Sequence, residues 1–479
     1  QAVYHRVGGQ FALRHPCHRP IHDRSLVVVS ARGILASSPP LCMSQGRSGR
    51  RGGKGEAPDH VTRAVIAMLV WAAGTALFLV LLDVLWHVPR QRQLLKLPDL
   101  QEVEDNGTNG TRWVEKFDGW PVQNQQPWGT FGRWRKSRSI GTRHFIPQDK
   151  YPLAKCLDGS PAAFYLRRTK STKWFLFLEG WGFCPTLEEC YERSRTSHGS
   201  TEGEPHHTDL RQKGPYFSSD EMENPLLHDF NWVFIRYCDG GYFSGDVNQS
   251  VEVNTTRKTH QIWFRGRYIR EGVVDHLRRE HHMDEATDVI LAGCSSGAIT
   301  TLVSINIWRE LMHWVPNVMA FADSGYFLDL DGDYSYWKRF IWETQNASAS
   351  VVPECARQHA TEPWVCFVAA NSLPHATVPV FAWQSRFDSN QLTGGDCTRD
   401  VCANQFGSDL ESSIQTVLAR NSYFIDGCYR HCSGDEPPLN VEGVTPLLAL
   451  KQWFFNLTVQ IVQEGKYPCD RCCSLYEMT

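Results

Sequence analysis

Five short apolar runs constrain the fold of this chain more than anything else in it. They are WFLFL (Trp174–Leu178), WVFIRY (Trp232–Tyr237), VILA (Val289–Ala292), VMAFA (Val318–Ala322) and VPVFAW (Val378–Trp383). Each is rich in β-branched or aromatic residues and has no polar alternation, which is how strands covered on both faces read. The intervals between them leave room for helices, and Gly266–Arg279 and Ser296–Leu311 have suitable sequences. Repeated alternation of strand and helix predicts a doubly wound, mostly parallel sheet of the α/β class. No internal repeat interrupts the pattern. The formal net charge of -3 argues against nucleic acid as a main partner.

The run VILA ends at Gly293-Cys294-Ser295-Ser296-Gly297, a G-x-S-x-G pattern, and a helical sequence follows at once. Strand, tight turn and helix form the setting in which this pattern becomes a nucleophile elbow. A serine hydroxyl is a poor nucleophile without a base, so a histidine and an orienting carboxylate are needed. In hydrolases built on such sheets the chain order is Ser, then Asp or Glu, then His. Asp388 follows the strand VPVFAW and would sit at a strand's C-terminal end, where catalytic groups gather. His431, in CYRHC, lies between two cysteines. His359 and His375 are rivals, but both precede Asp388. The expected fold is therefore α/β-hydrolase-like. A Gly-containing turn after the first run, Glu179-Gly180-Trp181-Gly182, is suited to aim backbone N–H groups at an oxyanion.

Sixteen cysteines bear on the compartment: Cys17 and Cys42 precede the apolar stretch Ala64–Leu82, and fourteen follow it. An even set in a non-cytosolic domain predicts disulfides, with Cys184/Cys190, Cys355/Cys366, Cys397/Cys402 and Cys428/Cys432 spaced to close short loops. The C-x-x-C at Cys469–Cys472 has no second ligand pair, so a disulfide is expected there rather than zinc. The stretch Ala64–Leu82 is 19 residues long and uncharged, enough to span a bilayer as a helix. Arg47, Arg50, Arg51, Lys54 and Arg63 precede it and Asp83 follows, which predicts a cytosolic N-terminus and a type II anchor. All six N-x-S/T sequons, at Asn106, Asn109, Asn248, Asn254, Asn346 and Asn456, fall after it, on the side where glycosylation occurs. The expected organisation is a disordered basic cytosolic tail over 1–63, in which 1–42 is either an incomplete N-terminus or an upstream reading artefact, a signal-anchor over 64–82 and a polar stem over 83–150. An α/β domain follows over 151–479, in a Golgi-like lumen or outside the cell.

Taken together, these blocks resemble the pectin acetylesterase/Notum family of carboxylesterases from about Cys156 to Asn456. The similar stretches are FLEGWGFC (Phe177–Cys184), RYCDGGYFSGD (Arg236–Asp246), FRGRYI (Phe264–Ile269), AGCSSGAIT (Ala292–Thr300), DSGYFLD (Asp323–Asp329), FDSNQLT (Phe387–Thr393) and CYRHC (Cys428–Cys432). Most lean to the plant side of the family, and FDSNQLT is closer to the animal Notum side. The resemblance implies Ser295 as nucleophile, Asp388 as orienting carboxylate and His431 as general base. It implies an oxyanion hole from the N–H groups of Trp181, Gly182 and Ser296, with no metal or other cofactor. Cys294 is read as structural. The implied substrate is an acylated polysaccharide or glycoprotein: most readily O-acetyl groups on a pectin-like glycan, alternatively a lipid on a protein, or a bound glycan or protein in an inactive member. Three residues depart from the family pattern. Ser296 replaces Ala, Ala298 replaces Gly, and Trp181 replaces a Gly, where its side chain is expected either to narrow the acyl site or to alter the oxyanion loop.

Overall fold

The computed structural model describes residues 139–473, apart from 256–257, 330–334, 395–396, 398, 434–438 and 470–471, together with 100–103 and 112–115. Leu100–Val103 and Arg112–Glu115 pair antiparallel within residues 1–128, a unit of its own. The stretch 64–82, Asn106 and Asn109 lie outside the described residues. Among the described residues no helix is long and apolar enough to cross a membrane.

The second unit is built on a ten-stranded sheet. Its strands are β1 (Ile140–Phe145), β2 (Ala163–Arg167), β3 (Lys173–Leu178), β4 (His207–Asp209), β5 (Asn231–Ile235), β6 (Asp288–Cys294), β7 (Asn317–Asp323), β8 (Val380–Ser385), β9 (Ser422–Asp426) and β10 (Gln460–Val462). Their spatial order is β10-β9-β8-β7-β6-β3-β5-β2-β1-β4. From β5 to β10 every pair is parallel, while β2, β1 and β4 add an antiparallel margin. All five apolar runs become strands of the parallel part. Ile140–Phe145, within the stretch 83–150 expected to be a polar stem, pairs with β2 and belongs to the sheet. Its sequence, IGTRHF, is only partly buried, so it carries no apolar run to announce it.

Alternate residues of the strands feed two cores. Trp174, Leu176, Val233, Leu291 and Ala320 pack against helices α2 (Gly266–Glu280), α3 (Ser296–Leu311) and α5 (Asp400–Val417) through Ile269, Leu302 and Leu410. Phe175, Phe177, Trp232, Phe321 and Phe381 face the other way, onto Tyr216, Phe217 and helix α6 (Pro446–Phe454). Two shorter helices complete the frame around the site, α1 (Leu187–Ser194) and α4 (Ser335–Glu343). Burial on both faces explains why the strands lack polar alternation. Helix α3 is buried at every position from Ser296 to Ile305. Leu302 and Ile305 meet the sheet, and Ile299 and Val303 meet a second layer around Phe367 and the Cys355–Cys366 disulfide.

Seven disulfides join the described cysteines, as expected of a chain folded in an oxidising compartment. Cys184–Cys190, Cys355–Cys366 and Cys397–Cys402 close the short loops that their spacing predicts, and Cys469 pairs with Cys472. The Cys428/Cys432 pairing is corrected. Cys432 bonds Cys294, and Cys428 bonds Cys473. The reason is directional: Cys432 takes a left-handed φ of 64° and turns toward the end of β6. Cys428 stays beside β9, where the C-terminal tail passes.

Candidate active site

Chain order reverses between β3 and β6, with β5 on one side and β7 on the other. Crevices at such switch points are where α/β sheets bind ligands. Ser295 stands there, between β6 and α3, at φ 54° and ψ -124°. That conformation is costly for a side-chain-bearing residue, on the order of 1–3 kcal/mol, and is kept only by its surroundings. The Ser295 N–H donates to the Asp323 carbonyl at 3.1 Å, and its own carbonyl accepts from the Ile299 N–H at 2.8 Å. The glycines of the motif answer to close approach. A Cβ on Gly297 would overlap the Leu178 carbonyl, so α3 could not lie against the end of β3.

His431 Nε2 lies 2.8 Å from Ser295 Oγ, and His431 Nδ1 lies 2.8 Å from Asp388 Oδ2. With Nδ1 carrying a proton toward the carboxylate, Nε2 is left to accept from the serine hydroxyl. Asp388 is fully buried. It accepts from the N–H groups of Asn390 at 3.1 Å and Gln391 at 3.0 Å, and from Gln384 Nε2 at 3.1 Å. Three donors hold the carboxylate in place and satisfy its charge. His359 and His375 take no part in this chain of bonds.

The loop bearing His431 is fixed by residues whose part in the site sequence reasoning missed. Ser324 Oγ accepts from the Cys432 N–H at 2.9 Å, and Asp323 Oδ2 accepts from the Ser433 N–H at 2.9 Å. Burial raises the Asp323 carboxyl, against the pull of Arg430. The signal was present as the block DSGYFLD, directly after a strand, but nothing in the letters says what it holds.

The turn after β3 reaches the serine from the other side. Glu179 is buried and pairs with Arg236, and its Oε2 accepts from the Tyr237 N–H at 3.0 Å. A Cβ on Gly180 would overlap the Cys294 carbonyl, so only glycine lets this turn close on the elbow. The Trp181 N–H donates to Ser296 Oγ at 2.8 Å. Gly182 follows at φ 61°. Of the three backbone groups named from sequence, Gly182 and Ser296 belong to residues that line the same cavity as Ser295, and the Trp181 N–H is engaged by the Ser296 hydroxyl.

A cavity of about 190 Å³ opens beside Ser295. Phe183, Tyr242, Ile299, Phe327, Trp337 and Phe367 give its wall an aromatic and aliphatic part, and Asp329, Lys338, Asn390 and Gln391 line it as well. Phe183 stacks on Trp337 with centroids 4.5 Å apart, and Phe327 meets the edge of the His431 ring at 5.9 Å. Trp181 is not part of the wall. Its indole lies parallel to the His198 ring, centroids 4.5 Å apart, and is 64% exposed. The expected narrowing of the acyl site by Trp181 is thus corrected, because the turn directs Phe183 inward and Trp181 outward. Asn248, Asn254, Asn346 and Asn456 are all exposed.

A sequence profile described as Pectinacetylesterase matches residues 135–474. Pectin acetylesterase 4 of Arabidopsis thaliana is 29% identical over 360 residues, covering 67% of this chain and 85% of the relative. The palmitoleoyl-protein carboxylesterase NOTUM of Mus musculus is 33% identical over 259 residues, which is 50% of this chain and 49% of that protein. Among solved structures, the Wnt deacylase Notum from Drosophila has a similar fold, with a TM-score of 0.62 at 23% identity, over 70% of this chain and 99% of the other. With the profile spanning more than half its length, this chain belongs to the pectinacetylesterase family of carboxylic ester hydrolases.

Proposed function

We propose that the protein is a serine carboxylesterase that cleaves O-acyl esters through Ser295, His431 and Asp388. The observation that carries this reading is the pair of 2.8 Å contacts from Ser295 to His431 and from His431 to Asp388, on a backbone strained at the serine. Ser295 Oγ attacks the ester carbonyl carbon while His431 Nε2 takes the hydroxyl proton. Asp388 stabilises the imidazolium, and the tetrahedral oxyanion is met by the N–H groups of Gly182 and Ser296. The Trp181 N–H joins them once Ser296 Oγ turns aside. Collapse breaks the ester C–O bond, and the alcohol leaves with the proton from His431. Water then attacks the acyl-serine, giving its proton to the same nitrogen; collapse breaks the bond to Ser295 Oγ, which takes that proton back from His431 as the free acid departs.

The acyl group is assigned to the aromatic cavity. Its volume of about 190 Å³ is several times the ~30 Å³ share of one water molecule, so an acetyl group would leave most of it unfilled. The cavity therefore favours an acyl chain longer than acetyl. O-acetyl groups on a polysaccharide are the second reading, favoured by the plant-like blocks around the site. The four exposed sequons and the stretch Ala64–Leu82 fit a type II glycoprotein with its catalytic domain in the secretory lumen or outside the cell.

The test is hydrolysis of 4-nitrophenyl esters from acetyl to palmitoyl by the full chain, with Ser295→Ala beside it. A maximum above two carbons, lost in the variant, is expected. A maximum at acetyl returns the substrate to O-acetylated glycans, and equal rates in both proteins overturn the esterase reading.

A further inference from the structure

We infer that the side chain of Trp181 is a stacking platform for a sugar ring of the ester's alcohol portion. The inference rests on the esterase reading for its place in the reaction, but on different atoms. Trp181 and Phe183 flank Gly182, and the turn separates them: Phe183 lines the acyl cavity, and Trp181 stands outside its wall, open to solvent. The alcohol portion of a bound ester must leave Ser295 on the side away from the acyl cavity.

The indole is prepared for a flat ligand. One face is covered by the His198 ring at an interplanar angle of 5°. Arg193 braces both partners: its NH2 donates to the Trp181 carbonyl at 2.7 Å and its Nε to the His198 carbonyl at 3.0 Å. Burial and the nearby Arg193 push His198 down to about 4, so the stack carries no charge of its own at neutral pH. The indole is thus fixed before any ligand arrives, which lowers the ordering cost of binding.

The surroundings select the occupant. The indole's partners are His198 and Arg193, and the segment that leads into His198 exposes Arg195, Thr196 and Ser197, so the aromatic plane is held by a polar loop. An apolar peptide or lipid wants continuous apolar area. A pyranose offers one apolar C–H face of about the size of an indole and a rim of hydroxyls, matching a single aromatic plane in a polar frame.

Two measurements on the full chain test this. The first is the ratio of kcat/KM for a partially O-acetylated oligogalacturonide to that for butyl acetate, which has no ring. Trp181→Ala is expected to lower the ratio at least tenfold, and Trp181→Phe to restore most of it; any loss common to both esters, through the oxyanion turn, cancels. The second is calorimetric titration of Ser295→Ala with the same oligosaccharide, where adding Trp181→Ala is expected to weaken binding at least tenfold. An unchanged ratio with unchanged binding overturns the platform. So does a loss of selectivity seen instead with an O-acetylserine peptide, which would make the acceptor a protein. If Ser295→Ala remains active, the esterase reading fails, and the titration still decides the platform.

Discussion

Cys294 and Cys432 are joined across 138 residues of sequence, and the residues beside them, Ser295 and His431, share the 2.8 Å contact at the centre of the site. The disulfide ties the turn that carries Ser295 to the loop that carries His431. Replacing both cysteines by serine is expected to lower stability by about 2–5 kcal/mol. It should also lower kcat by roughly tenfold to a hundredfold, because the histidine loop loses its fixed position. Denaturant unfolding and steady-state rates measure the two effects. An intact kcat would mean that Ser324 and Asp323 hold the loop unaided.

Asp388→Asn keeps the shape but removes the acceptor that fixes the His431 tautomer. The amide would also set an N–H against donors from Asn390, Gln391 or Gln384. A fall in kcat of about 10³–10⁴ is expected, with the circular dichroism of the folded chain retained. A loss below tenfold would remove Asp388 from the site.

Filling the cavity should change chain-length preference. Val368 and Ile299 both line it and are buried. With Val368→Trp, the ratio of kcat/KM for a hexanoyl ester to that for an acetyl ester is expected to drop about tenfold, as roughly 0.8 kcal/mol is lost per displaced methylene. An unchanged ratio would place the acyl chain elsewhere.

Acid should weaken the antiparallel margin of the sheet. His144, His276 and His281 cluster there, with the His144 and His281 rings 4.7 Å apart and those of His276 and His281 5.3 Å apart. Burial, first of all, lowers each of them from the ordinary 6.5, and His281 falls to about 4. Glu280 opposes the shift, while the histidines repel one another when charged. Because the folded state binds these protons more weakly than the unfolded one, stability present above pH 6.5 is lost as pH falls toward 4. Melting temperature across that window measures it, and His281→Phe should flatten the slope. A slope the same in the variant would assign the acid sensitivity to other groups.

The parallel half of the sheet was legible because its strands are buried on both faces and read as apolar runs. The antiparallel margin was not, because IGTRHF of β1 mixes small, polar and aromatic residues on a half-exposed strand. The triad candidates could be ordered along the chain, since Ser295 and Asp388 each follow a recognisable strand and His431, between two cysteines, comes after both; the strand before it, Ser422–Asp426, carries no apolar run to announce it. Spacing favoured Cys428 with Cys432, since only local loops can be judged by spacing. The backbone turn at Cys432 sent it to Cys294 instead. Trp181 was misjudged for a related reason: position in a motif gives the order of residues, and the backbone turn at Gly182 decides which of its neighbours faces the cavity.

The sheet ends on both sides in strands of three residues, His207–Asp209 and Gln460–Val462. An edge so short offers little template for another chain to pair with. On the β10 side, the Cys428–Cys473 disulfide also keeps the tail that follows the strand beside β9. A long apolar sheet with full-length open edges would be an aggregation hazard, and the trimmed margins leave little edge on which another strand could add.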